Sequence, residues 1–409
     1  MLGRRNILRA LASAVLLLVA SAAACAEEPT VHKTELFQAE TDGYALYRIP
    51  GLVVTAKGTV LVYCEARQDS PRDWGHIDLV YRRSEDGGKS FSPAKPLVQL
   101  DAAKWNLQRN PAAIAQKLGT EGALTFNNPL MVAAQDGTVH LLFCVEYQRL
   151  FYCRSRDDGQ SFGQPVEITA ALAKLRGQYD WKAMAVGPGH GIELANKRLI
   201  VPVWISRATG GGAHRPSAIT TIYSDDAGKS WHAGEIIAGE TDPLVNPSEH
   251  VAVELPDGRV MVNIRSESAA NRRAYAISPD GATAWSKPEF DDALLEPICM
   301  ASLVRLPLGR GKTGLLFSNP YNLDATDPTR KVPGRGRDRK NLSLQLSRDD
   351  GRTWPVRETL EPGVSGYSDL AILPDGTILC FYERGGSAKN APLRYLTLAR
   401  LSRDWLGGP

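Results

Sequence analysis

The arginines are the residues most able to do chemistry in this chain. Tyr47-Arg48-Ile49-Pro50 sets a guanidinium two residues before a proline, and Arg330, Lys331, Arg335, Arg337, Arg339 and Lys340 crowd one loop that also contains glycine and proline. A planar guanidinium meets a carboxylate with two parallel charge-assisted bonds, so several brought together would clamp an organic acid. One such arginine alone is more commonly a salt-bridge partner, and a basic loop is commonly a solvated face. Metal chemistry has less to work with. The seven histidines are scattered with no His-x-x-x-His pair, and no metal or cofactor is expected. A recurrent aspartate lies in a Ser-x-Asp-x-Gly motif, whose spacing lacks the several oxygen ligands and closing glutamate of an EF-hand loop.

That motif reveals what must hold the arginines in place. Ser-x-Asp-x-Gly-x-Ser/Thr-aromatic occurs at Ser84 to Phe91, Ser155 to Phe162, Ser224 to Trp231 and Ser347 to Trp354, with a blurred copy at Ser278 to Trp285 that lacks the turn residue between Asp280 and Gly281. Serine and aspartate side chains can bond nearby amides, glycine supplies a positive φ, and the aromatic pins the turn to the layer beneath. A second element alternates with it: two β-branched or aromatic runs around a turn, at Lys57-Gly58, Asp136-Gly137, Asn196-Lys197, Asp257-Gly258, Gly309 to Gly314 and Asp375-Gly376. Five of these hairpins precede a box, and the sixth precedes only Leu396 to Leu401 and the truncated Ser402-Arg403-Asp404-Trp405. Repeated units built of strands predict an all-β, six-bladed β-propeller, with Val31 to Ala39 supplying the strand the last blade lacks and covering its edge. The one helical expectation is the insertion Asp101 to Leu118, which also reads as a loop.

With 409 residues and 43% hydrophobic content the chain can bury a large core. Residues 1–26 have a basic start, an apolar run from Ala10 to Ala24 and small residues before Glu27, the layout of a secretory signal. Gly3-Arg4-Arg5-Asn6-Ile7-Leu8-Arg9 resembles a twin-arginine signal, and Ala22-Ala23-Ala24-Cys25 offers a lipidation site that lacks the usual leucine. The expectation is an exported protein, periplasmic or extracellular, with residues 27–409 forming the propeller and a membrane attachment only if Cys25 is lipidated. Removing Arg4, Arg5 and Arg9 leaves 45 basic residues against 45 acidic ones, so no global field draws the chain to nucleic acid. Cys64, Cys299 and Cys380 read as core thiols, while Cys144 and Cys153 flank a hairpin and could pair.

Tyr47-Arg48-Ile49-Pro50 followed by the boxes resembles the sialidase (neuraminidase) family, in its bacterial exo-alpha-sialidase form, and the likeness extends over nearly everything after the signal. It implies that Arg48 is one of three arginines gripping a substrate carboxylate. Arg265, in Asn263-Ile264-Arg265-Ser266, is similar to the second, and Arg339, in Arg339-Lys340-Asn341-Leu342, to the third, with Arg335 and Arg337 as nearby rivals. Asp73, in Asp73-Trp74-Gly75-His76-Ile77-Asp78, matches the acid/base. Tyr367, in Gly366-Tyr367-Ser368-Asp369, matches the nucleophile, and Glu249, after Ser248, its partner base. Glu383, in Tyr382-Glu383-Arg384, resembles the residue that steadies the first arginine, and Arg67 is a further substrate-binding candidate. Gly187-Pro188-Gly189-His190-Gly191 resembles a structural segment. Trp74 and the Asp101 to Leu118 insertion are left to select the form of sugar.

The implied chemistry makes these residue types intelligible. A sialoside carries a carboxylate on its anomeric carbon, which would repel a carboxylate nucleophile, whereas a neutral phenol escapes that repulsion. A phenol titrates near 10 and needs a base, the part left for Glu249. Asp73 would protonate the leaving oxygen and later activate water, with retention at the anomeric carbon. The expected partners are sialylated glycans or glycoconjugates. A propeller lectin that binds an acidic sugar without turning it over, and an enzyme giving transfer or anhydro products, are the rival readings. Binding alone would require the arginines and not the acid, phenol and base.

Overall fold

The computed structural model describes residues 30–240, 244–386 and 392–407. The leader over residues 1–26, with Cys25, lies outside them. All six turns read from the sequence join paired strands. Gly58, Gly137, Gly258 and Gly376 take φ of 85° to 88° there, a left-handed backbone open to glycine at little cost.

The strands form four self-contained sheets and one of seven strands. The first blade is Leu46–Val54, Val60–Arg67, Ile77–Ser84 and Lys95–Pro96, and the second is Phe126–Ala133, Val139–Val145, Arg149–Ser155 and Val166–Glu167. The third is Ala183–Val186, Leu199–Gly210, Arg215–Ser224 and His232–Ala238, and the fourth is His250–Glu254, Val260–Ile264, Arg272–Ser278 and Glu289–Leu295. The seven-stranded sheet turns on Val356–Ile372, a strand of 17 residues. Its part up to Val364 pairs with Lys340–Ser347 in a fifth blade begun by Ser302–Gly309 and Lys312–Pro320. From Ser365 it pairs with Ile378–Gly385 in a sixth. Six blades therefore arise as four separate sheets and two that share a strand.

Ring closure follows the expectation. Val31–Gln38 lies antiparallel to Leu393–Leu401, with Val31 opposite Leu401 and Gln38 opposite Tyr395, so the sixth blade is finished by the chain's first described strand. The core is divided into wedges between blades, such as Leu61, Tyr63, Leu141 and Phe151 between the first and second. This division explains a correction. Cys144 packs in the wedge toward the third blade and Cys153 in the wedge toward the first, on opposite faces of one sheet, and both are free thiols rather than a pair.

The boxes form as their chemistry dictates. Ser84 Oγ donates to Asp86 Oδ1 and accepts from Gly88 N at 2.8 Å, while Asp86 takes the amides of Lys89 and Ser90 at 2.9 Å. Ser155, Ser224 and Ser347 open the same arrangement in their blades. Ser84 lies opposite Val60 and Ile77 opposite Arg67, so the boxes sit at one end of the strands and Arg67 at the other. The Asp101 to Leu118 insertion is a loop with one five-residue helix, Pro111–Ala115, and Thr169–Gly177 adds a 3-10 turn that the sequence reading lacked.

Blades are also stitched across the axis. Asp369 of the sixth blade accepts from Leu52 N of the first at 2.8 Å, Ser302 Oγ of the fifth at 2.8 Å and His190 Nδ1 at 2.7 Å. Gly189–His190, which runs parallel to Phe126–Ala133, is thus the structural segment it resembled.

Candidate active site

The six blades bring the separated motifs to the end of the ring away from the boxes. Arg48 lies in the innermost strand of the first blade, Glu249 and Arg265 flank the first hairpin of the fourth, Arg339 precedes Lys340–Ser347, and Tyr367 and Glu383 face each other across the sixth. The guanidinium carbons of Arg48, Arg339 and Arg265 stand 5.1, 5.2 and 6.0 Å from the centre of the Tyr367 ring. Three cations from three different blades therefore converge on one phenol.

Each is held differently. Arg48 makes a bidentate pair with the buried Glu383, Nε to Oε1 at 2.9 Å and Nη2 to Oε2 at 3.0 Å. The amides of Ile49 and Tyr367 donate to the same carboxylate at 3.1 and 3.0 Å, so Glu383 fixes an arginine and the backbone under the phenol together. Gly366 permits this: a Cβ there would meet Glu383 Oε2 at 2.2 Å. Burial pushes the Glu383 carboxyl up, but Arg48 and these amides hold it below its ordinary value. Arg265 donates to Glu249, and Arg339 donates to the carbonyl of Ile298. Among the described residues Arg339 makes no ion pair, which leaves its charge available to a ligand. Of its rivals, Arg337 is engaged by the carbonyls of Val332 and Arg335 and by Asn271, and Arg335 is exposed.

The phenol itself is buried. Tyr367 Oη donates to Glu249 Oε1 at 2.6 Å and accepts from Arg265 Nη1 at 2.6 Å. Burial raises its pKa far above 10, Arg265 opposes that, and Glu249 reinforces it, so the resting hydroxyl keeps its proton. Proton transfer to Glu249 would leave a phenolate already facing Arg265, an arrangement that activates a poor nucleophile.

Asp73 lies in the loop after Val60–Arg67, its side chain 45% exposed, at 3.0 Å from Arg67 Nη1 and 3.9 Å from Arg48 Nη1. Burial acts to raise its pKa, yet Arg67, His214 and Arg48 together hold it well below the ordinary carboxylate range. Arg67, expected to touch substrate, is instead wholly buried. Its guanidinium serves Glu65 at 2.7 and 3.1 Å, the Pro71 carbonyl at 2.7 Å and Asp73. It positions Asp73 from behind. Trp74 donates to the carbonyl of Gly212 at 2.9 Å and packs beside Tyr147 and His214, so it forms the wall of the third blade's side.

Apart from Glu383, sequence reasoning missed the supports. Glu65 backs Arg67, and the buried Arg273 binds Glu296 at 2.6 Å and the Cys299 carbonyl at 3.0 Å, fixing the loop whose Ile298 carbonyl takes Arg339. A charged residue at an inward position of Arg272–Ser278 was the available signal. No group of three or more His, Cys, Asp or Glu among the described residues is placed to hold a metal.

Fold and repeats first define a class: residues 101–380 match the BNR repeat-like domain family, and the chain belongs to it. Within that class its relatives are sialidases. It is 29% identical to a sialidase of Micromonospora viridifaciens over 93% of this chain and 55% of that one, and 28% identical to a sialidase of Bacteroides fragilis over 84% and 60%. The chain thus spans little more than half the length of these two relatives. Its fold is shared with the leech intramolecular trans-sialidase, at a TM-score of 0.71 and 18% identity over 92% of this chain and 71% of that one.

Proposed function

We propose that the protein is an exo-alpha-sialidase that removes terminal sialic acids from glycoconjugates with retention of configuration. One observation carries this reading: three guanidinium groups surround a buried phenol whose hydroxyl lies between a carboxylate and one of those same arginines. A clamp alone would serve a lectin. The phenol-carboxylate pair beneath it has a use only if a bond is made to the phenol oxygen.

Arg48, Arg265 and Arg339 hold the carboxylate of the sugar, which sets the anomeric carbon over Tyr367. Glu249 takes the phenol proton as the oxygen attacks, forming a covalent glycosyl-enzyme, and Asp73 delivers a proton to the departing oxygen. Asp73 is ionised in the resting site, since Arg67 and Arg48 favour its anion. A bound carboxylate offsets the field of Arg48 and a bound sugar excludes water, and both changes raise the pKa of Asp73 toward that of a usable acid. Water activated by Asp73 then releases the sugar. The signal-like leader suits an exported enzyme acting on external glycans.

A fluorogenic aryl sialoside tests the reading. Turnover between about pH 4 and 7, with the first product retaining its anomeric configuration by NMR, is expected. A fluorinated sialosyl trap should add one sugar mass to the protein, and the adduct should be missing in Tyr367→Phe. Binding without release would indicate the lectin, and an anhydro product would place the protein with its leech structural neighbour in outcome.

A further inference from the structure

Residues 321–339 leave the fifth blade between Lys312–Pro320 and Lys340–Ser347, at the end of the ring where Tyr367 lies. Of the cations in this loop the clamp uses Arg339 alone. Arg330, Lys331 and Arg335 are exposed and belong to no ion pair among the described residues, and the acid whose field reaches Arg330 is the exposed Asp327. The charge of these three has no part in the chemistry derived above.

Unpaired cations are ordinary on a surface, but the backbone that carries these is held in place. Asp338 Oδ2 accepts from the amide of Thr326 at 2.5 Å and from its hydroxyl at 2.6 Å, and Asn322 Nδ2 donates to the carbonyls of Asp324 and Asp338 at 3.0 and 2.9 Å. Arg337 ties the tip by donating to the carbonyls of Val332 and Arg335 at 3.1 and 2.6 Å, and it reaches Asn271 of the fourth blade at 3.1 Å. The packing leaves no room for side chains at the bends. A Cβ on Gly334 would meet the Glu267 carbonyl oxygen at 1.9 Å, and one on Gly336 would meet that of Arg330 at 1.7 Å. Like charges are thus fixed side by side against their own repulsion, a local cost of the kind that proteins keep at functional sites.

We propose that this loop binds a second acid group of the substrate, one sugar beyond the sialic acid in the clamp. The favoured substrates are then glycans whose penultimate residue is itself acidic, as where one sialic acid is linked to another. The inference rests on the sialidase reading and names a class of its substrate. Attack by Tyr367 from the floor of the site sends the departing group off the opposite face of the ring, toward the mouth. The loop borders that mouth, since its last residue, Arg339, stands over Tyr367 and Gly334 rests on the fourth blade. A carboxylate on the penultimate sugar meets guanidinium and ammonium groups there. An anionic membrane fits the loop less well, because Val332 is its one exposed large hydrophobic residue and gives little to insert into a bilayer.

The test uses a disialyl-lactose whose terminal sialic acid is linked to a second one, the same glycan with the inner carboxyl converted to an amide, and an aryl sialoside. The proteins are the wild type and Arg330→Gln/Lys331→Gln/Arg335→Gln, with melting temperatures to confirm that the variant folds. At low salt the wild type should favour the acid over the amide by about tenfold in kcat/KM, and the preference should fade as salt rises. In the variant the two glycans should be cleaved alike within about twofold, and the aryl sialoside should be turned over as by the wild type. An equal preference in both proteins, or none in the wild type, would overturn the proposal. So would a variant that loses the aryl sialoside as well, since these cations would then belong to the clamp. Sedimentation with phosphatidylserine vesicles that the variant abolishes, without an acid preference, would assign the loop to a membrane instead. If the wild type hydrolyses nothing, the sialidase reading fails, and calorimetry of the two glycans still decides: tighter binding of the acid by the wild type alone upholds the loop, and equal binding overturns it.

Discussion

At the scale of single residues, the site divides into groups that would meet substrate and groups that hold them. Tyr367 and Glu249 form one unit, since each is the other's hydrogen-bond partner at 2.6 Å. Tyr367→Phe should cut kcat by about three orders of magnitude or more, as loss of an activated nucleophile does, while the dehydrated analogue still binds the arginines. Calorimetry beside single-turnover kinetics checks this, and normal turnover would take Tyr367 out of the mechanism. If Asp73 acts on the leaving group as proposed, Asp73→Asn should slow hydrolysis of a natural sialyl-lactose by about a hundredfold or more and that of an activated aryl sialoside far less. Equal losses on the two substrates would argue that Asp73 serves binding instead. Arg67, although an arginine beside the pocket, belongs with the supports, because all of its contacts lie behind Asp73.

At the scale of elements, the loop between the fourth and fifth blades holds Arg339, one arm of the proposed clamp. Ile298 takes φ of 62°, a costly conformation for a β-branched residue at about 1 to 3 kcal/mol, and its carbonyl receives Arg339. The buried Arg273–Glu296 pair and the bond from Cys299 N to Glu296 at 2.8 Å hold that shape. Breaking a buried pair by removing one partner costs about 3 to 5 kcal/mol. Glu296→Gln should therefore lower the melting temperature and also raise KM more than it lowers kcat, because Arg339 loses its fixed position. A variant with lower stability but unchanged KM would limit the loop to a structural part.

The box turns carry a pH dependence of their own. The Ser230 hydroxyl and amide hold Asp226 at about 2, below the ~3.9 of an unfolded aspartate. A depressed pKa adds stability that is complete above about pH 4 and is lost as pH falls toward 2. Asp226→Ala should thus melt below the wild type at pH 6, with the gap closing on acidification. A gap that stays constant with pH would place the effect in the backbone turn and not in the ionised carboxylate.

At the scale of the whole molecule, the ring depends on one strand and one carboxylate. Removing residues 31–38 would bare the edge of Leu393–Leu401, and such an edge invites pairing with other chains. The shortened protein should elute as aggregates and lose its cooperative thermal transition, whereas a monomer of unchanged stability would show that closure is dispensable. Asp369 gathers partners from the first and fifth blades and His190 at the axis, which ties the ring at its narrowest point.

Local chemistry made the repeat legible in the sequence. A Ser, an Asp and a Gly satisfy one another within eight residues, so boxes and hairpin turns could be placed before any tertiary contact was known, and the closing strand followed from the one blade left short. The motifs around Arg48, Arg265, Arg339, Asp73, Glu249, Tyr367 and Glu383 were picked out as separate candidates along the chain through their resemblance to the sialidase family, not through local chemistry. Tertiary structure alone decided which way each side chain faces. It buried Arg67 behind Asp73, chose Arg339 over Arg337, and separated Cys144 from Cys153 by the thickness of a sheet. The physical reason is distance along the chain: a box closes over a few residues, but three arginines on the first, fourth and fifth blades meet around Tyr367 only when the ring has closed.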